Sequence, residues 1–225
     1  DLRYSGITIW NRLESIDEIS GNRKEYEASA DYLETVSVAG EQSSLTYEGI
    51  NAELRFVREP REDFDIRYEV TKGSGTLEME SGDGHLRIRE VPDKPGATTV
   101  FAVTVAMPET YREEIRVKLV NGGIYAHELT SPVTLETVNA DVALTMAAAV
   151  PVSIKNVNGA LTIGYDADSM KDLRYDFRVT NGMISVQGEP QVAVAGAQNI
   201  TGSFGNGTTP LEIETTNGII TLDEK

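Results

Sequence analysis

The feature that most constrains the fold is a unit centred on Asn-Gly that recurs five times: IRVKLVNGGIYA, VTLETVNADVAL, VSIKNVNGALTI, YDFRVTNGMISV and LEIETTNGIITL. With Ile115, Val133, Val152, Tyr175 and Leu211 as position one, positions one, three, ten and twelve are apolar in every copy. A chain that is 40% apolar does not produce that alignment by chance. Position seven is always Asn (Asn121, Asn139, Asn158, Asn181, Asn217), and position eight is Gly except at Ala140. Period-two alternation on both sides of a bend means half-buried β-structure. Asn and Gly supply the bend because they tolerate positive φ.

Two all-β architectures fit this pattern. Asn-Gly between alternating runs is the usual hairpin signal, which gives an antiparallel meander or sandwich. The spacing favours another arrangement. The Asn positions lie 18, 19, 23 and 36 residues apart, and Asn199, in the degenerate copy VAVAGAQNITGSF, halves the last gap. A period near the lower limit for solenoid repeats predicts a single-domain, β-helix-like β-solenoid in which each copy is one coil stacked on the last. Equivalent Asn side chains then form a hydrogen-bonded ladder, as amides do in cross-β stacks.

The segments VTVAMPETYREEIRVKLVNGGI, TVNADVAL, NVNGALTI and SFGNGTTPLEIETTNGIITL together resemble a bacterial β-strand-repeat family of unknown function whose members are labelled as candidate adhesins. The resemblance spans residues 33–225 and rests on repeat grammar, not on a catalytic motif. It implies a protein of the bacterial envelope or cell surface, on the extracellular side, in a family partly tied to envelope stress. It carries over no active-site residue. Asp1 in place of an initiator Met suggests a processed or trimmed chain, with any anchor upstream.

Residues 1–32 read as an N-terminal cap or irregular segment, with Trp10 packed on the first coil. Residues 33–225 read as one β-strand-repeat domain, irregular at first and regular from residue 115. Turn residues at Glu59-Pro60, Gly73 to Gly75, Gly82 to Gly84 and Pro92 to Gly96 punctuate the first half, and Pro108 ends the strand VFAVTVAMP. No apolar run reaches the ~18 residues of a membrane-spanning helix.

Cysteine is absent, which removes disulfides, thiolate metal sites and a cysteine nucleophile. The formal net charge of −16 is spread along the chain, so nucleic acid and anionic bilayers are poor partners and cationic peptides attractive ones. His85 and His127 read as solvated residues at strand ends without a neighbouring nucleophile, and no Gly-x-Ser-x-Gly elbow occurs. Asp166, Asp168 and Asp172 form the best candidate calcium site, through an Asp-x-Asp start. They lack the Gly and distal Glu of an EF-hand loop, and a surface loop is the simpler reading. Glu59, Glu62, Asp63 and Asp65, interleaved with Arg58 and Arg61, read as a solvated loop.

No cofactor is expected. The functional expectation is a non-enzymatic, acidic surface or envelope module that engages an envelope partner through adhesion or stress-related contacts. The competing class is a polysaccharide-acting enzyme on a β-helix scaffold. A concave pocket gathering two or more carboxylates with a basic residue would favour the enzyme.

Overall fold

The computed structural model describes residues 34–38, 42–187 and 189–225, with backbone alone over 189–197. The expected cap over residues 1–32, including Trp10, lies outside them. Twelve strands follow one another: β1 (Glu34–Val38), β2 (Ser44–Glu59), β3 (Phe64–Lys72), β4 (Gly75–Gly82), β5 (His85–Pro92), β6 (Val100–Pro108), β7 (Glu114–Leu129), β8 (Val133–Met146), β9 (Val152–Tyr165), β10 (Leu173–Val186), β11 (Glu189–Ser203) and β12 (Thr209–Glu224). Among the described residues one short helix, α1 (Ala167–Met170), interrupts them.

Each Asn-Gly unit is one long strand, not a hairpin. Position one pairs with position one and Asn with Asn in parallel register from β7 to β8 and β8 to β9. The antiparallel meander is therefore excluded for these copies. Burial changes parity across the bend: in β7, Ile115, Val117 and Leu119 are buried before it, and Ile124 and Ala126 after it. A shift from odd to even positions turns the opposite side of the chain inward. Both halves contribute to one core cluster, so the sheet folds over its own buried face along the line of bends.

At two of the position-eight glycines the neighbouring strand leaves no room for a side chain. A Cβ on Gly182, where φ is 156°, would lie 1.7 Å from the Gly218 carbonyl oxygen, and one on Gly122, where φ is 133°, would lie 1.8 Å from that of Ala52. Ala140 is 2% exposed and does not adopt a positive φ.

A sixth copy precedes the five. Leu45, Tyr47, Asn51, Leu54 and Phe56 of β2 occupy positions one, three, seven, ten and twelve, and β2 pairs in parallel register with β7, Asn51 opposite Asn121. Regular stacking thus begins at residue 45 rather than 115. At the bend of β2 the sheet branches. Its first half pairs with β5 and its second half with β6. Antiparallel β4 extends the first branch, and antiparallel β3 and then β1 extend the second.

The far end also departs from a simple stack. β12 lies between β9 and β10, parallel to both, and β11 returns antiparallel along the outer side of β10. Asn199, expected at the bend of a degenerate coil, instead faces Arg178 in that antiparallel pair. The described residues are all-β and form a single open twelve-stranded mixed sheet whose centre is the parallel stack β2-β7-β8-β9-β12-β10. Among the described residues no helix is long and apolar enough to cross a membrane.

Candidate functional site

Three rows of side chains run across the six parallel strands at equivalent positions. Along the bend lies the Asn ladder: each Nδ2 donates to the next Oδ1, from Asn121 to Asn51 at 2.9 Å, Asn139 to Asn121 at 2.8 Å, Asn158 to Asn139 at 2.7 Å, Asn217 to Asn158 at 2.8 Å and Asn181 to Asn217 at 2.9 Å. At its head Asn51 donates to the Thr99 carbonyl at 3.1 Å. An interior rung holds two amide bonds and the terminal Asn181 one. Asn158→Ala is therefore expected to cost about 1–2 kcal/mol, roughly twice Asn181→Ala, in urea unfolding, since each net hydrogen bond contributes about 0.5–1.5 kcal/mol. Equal costs would show that the ladder adds nothing beyond each residue's own bend.

One residue before each Asn is an outward row of β-branched side chains. Ile50 is 52% exposed, Val120 38%, and Val138 and Val157 39% each. Thr216 and Thr180 continue the row. Two residues further back is a charged row: Glu48, Lys118, Glu136, Lys155, Glu214 and Arg178, each in register with the next. From β2 to β12 the two rows wall a groove of about 1020 Å³ on the outer face of the first half of the sheet; Arg178 and Thr180 of β10 lie beyond it.

At the β2 end of the groove Glu90 of β5 crosses onto the bend. It is 9% exposed and accepts from the Tyr47 hydroxyl at 2.9 Å and from the backbone amides of Ile50 at 2.8 Å and Asn51 at 3.1 Å. Gly49 makes room, since a Cβ there would lie 2.0 Å from a Glu90 carboxylate oxygen. Burial, and secondarily the Glu90 charge, raise the Tyr47 phenol well above its ordinary value, so it remains a donor. Alternation in HLRIREVP puts Glu90 on the same face as Leu86 and Ile88, a signal that sequence reading passed over.

The three aspartates do not converge. Asp166 caps α1, accepting from the amides of Asp168 at 3.0 Å and Ser169 at 2.7 Å and from the Ser169 hydroxyl at 3.0 Å. Asp168 pairs with Lys171 at 2.7 Å, which lowers its carboxyl below the ordinary range. Asp172 accepts from Asn206 at 3.4 Å. Among the described residues no group of three or more His, Asp or Glu is placed to hold a metal.

His85 opens β5 and shares a 2.7 Å hydrogen bond with the Ser44 hydroxyl, while His127 lies within β7 and not after a strand end. The segment read as a solvated acidic loop is partly interior. Asp65 and Arg67 are buried, and Arg67 and Arg61 bridge Asp65 and Glu59 at 2.6–3.3 Å. Through Glu59, the last residue of β2, these bridges fasten the end of β2 to β3. Phe64 and Ile66 face the core, so the alternation carries the residues between and beside them onto the partly covered outer side.

The overall fold has a solved counterpart. The chain has the fold of a bacterial cell adhesion candidate. That protein, from Clostridium sporogenes, superposes with a TM-score of 0.64 at 17% identity, over 86% of this chain and 99% of its own. Looser similarity links the chain to a candidate adhesin of Bacteroides fragilis, with a TM-score of 0.36 at 12% identity over 85% and 97% of the two chains. A candidate lipid binding protein of Parabacteroides distasonis gives 0.29 at 11% identity over 85% and 97%. No family model and no curated protein matches the sequence.

Proposed function

We propose that the chain is a non-catalytic surface module of the bacterial envelope. Its stacked centre serves as a stiff, solenoid-like support, and its acidic exterior meets an adhesion or envelope-stress partner of cationic character. The observation that carries the reading is the fold shared with the Clostridium sporogenes adhesion candidate over nearly all of that protein. The net charge of −16 supports a cationic partner.

The groove is what favours the competing reading, because it gathers several carboxylates with lysines. Its layout weakens that reading. The carboxylates of the charged row stand on alternate strands, Glu48 on β2, Glu136 on β8 and Glu214 on β12. They alternate with cations along one row, and the Glu136 side chain is 55% exposed.

Titrating a cationic amphipathic peptide into the purified chain at low and at about 0.15 M salt tests the proposal, because screening over about 8 Å weakens diffuse attraction. Binding that weakens with salt supports it. Release of reducing ends from a polysaccharide panel, lost in the Glu136→Gln/Glu214→Gln double variant, would replace it with the enzyme.

A further inference from the structure

The charged row has an order that the sequence hides. In chain order position four reads Lys118, Glu136, Lys155, Arg178, Glu214, with two cations adjacent. In space β12 enters between β9 and β10, and the row from β2 onward becomes Glu, Lys, Glu, Lys, Glu, Arg, strictly alternating and formally neutral on a chain of net charge −16. Lys118 and Glu136 touch at 3.3 Å.

A row of six alternating charges is complementary to itself when turned about its midpoint. We propose that this face is the contact between two copies of the chain, related by a two-fold axis parallel to the strands and passing between β8 and β9. That axis sets Glu136 of one copy against Lys155 of the other, Lys118 against Glu214 and Glu48 against Arg178, with every pair of opposite sign. The aliphatic row follows the same operation. Val138 meets Val157 at the centre, and Val120 and Ile50 meet the two threonines at the rim. An isologous contact with an apolar centre and a polar margin has the usual anatomy of a homodimer interface.

Two arguments select a second copy over other occupants. Acidic chains repel one another, and this neutral strip is where two of them can approach. The extent also fits: six strands about 4.8 Å apart and six residues rising about 3.3 Å each cover roughly 570 Å² per copy, or about 1,100 Å² in all, just above the lower bound for a specific contact. The contact is therefore weak, and it forms at high local concentration, as on a surface.

Sedimentation velocity over rising concentration in low salt tests this, with a melting curve for each variant as a folding control. The expected result is a monomer–dimer equilibrium with a Kd on the order of 100 μM. Val138→Glu, at an exposed position, should weaken it by at least about tenfold without lowering the melting temperature. Glu136→Lys should do the same by opposing Lys155 of the other copy. The Glu136→Lys/Lys155→Glu swap should restore dimerisation to within about threefold, because it preserves opposite signs across the axis while leaving like charges adjacent within each row. A chain still monomeric at about 1 mM would overturn the proposal. So would a dimer indifferent to both single variants, or a swap that fails to recover while remaining folded.

Discussion

Ile154→Asp is expected to unfold the protein or leave it barely folded at ambient temperature. Ile154 is 1% exposed, at position three of β9, in register with Leu135 on β8 and Ile213 on β12. An aspartate there loses the aliphatic contacts of both neighbours and leaves a carboxylate with no partner. Losing a buried aliphatic side chain costs about 2–5 kcal/mol, and burying an uncompensated polar group about 1–3 kcal/mol more. The sum rivals the whole stability of an ordinary domain, about 5–15 kcal/mol. The parallel stack propagates the damage, because β9 supplies ladder partners to both β8 and β12. Thr162, on the same strand and partly exposed, provides the contrast: Thr162→Ala should change stability by no more than about 0.5 kcal/mol. Circular dichroism melting of the two variants checks the assignment of inward and outward positions. A normal melt for Ile154→Asp would mean that the register is wrong.

That register was legible because it is written in short-range periodicity. Positions one and three, then ten and twelve, announce both the strands and the change of face between them, and the Asn at seven marks where it occurs. The copy around Asn51 carries the same apolar slots, but Ala52 stands where Gly is usual, and the 55 or so residues of β3 to β6 and their connections separate it from the next copy, so no fixed period points to it. The order β9-β12-β10 was not legible at all. Strand order in a sheet is a non-local property, and the regular spacing that suggested sequential coils is satisfied equally by a chain that leaves a gap and fills it later. The alternating charges at position four offer a physical reason for that order. Had β10 docked directly on β9, Arg178 would have stood opposite Lys155, whereas inserted β12 places Glu214 between them. Like charges directly opposite destabilise a strand pair by a few tenths to about 1 kcal/mol. The candidate site was harder to read than the fold, since the aspartates singled out by spacing serve a helix cap and surface contacts. The groove comes from rows that form only when the copies stack.

Glu90→Ala is expected to be the most damaging substitution of a charged residue near the groove, lowering stability by about 3–5 kcal/mol, because hydrogen bonds from three neutral donors are lost at about 1–2 kcal/mol each. The carboxylate gathers three donors, the Tyr47 hydroxyl and the amides of Ile50 and Asn51, at the one bend of the stack where β5 leans across the chain. Truncation leaves the two amides and a buried phenol without their acceptor, and each unsatisfied group costs about 1–3 kcal/mol, less whatever water recovers in the vacated space. The loss reaches the Asn ladder because the Asn51 amide is one of the donors and its side chain receives the Asn121 bond. Glu90→Gln keeps the size but replaces one acceptor oxygen with a donor facing donors, and should fall between wild type and Ala. For a chain of this length about 1 kcal/mol corresponds to a shift of about 2–4 °C in melting temperature, so Glu90→Ala should melt roughly 10 °C below wild type. If its melting temperature lay within about 2 °C of wild type, the Glu90 carboxylate would not be what holds the first bend of the stack, and Gly49 would have to be explained by something other than the side chain it admits.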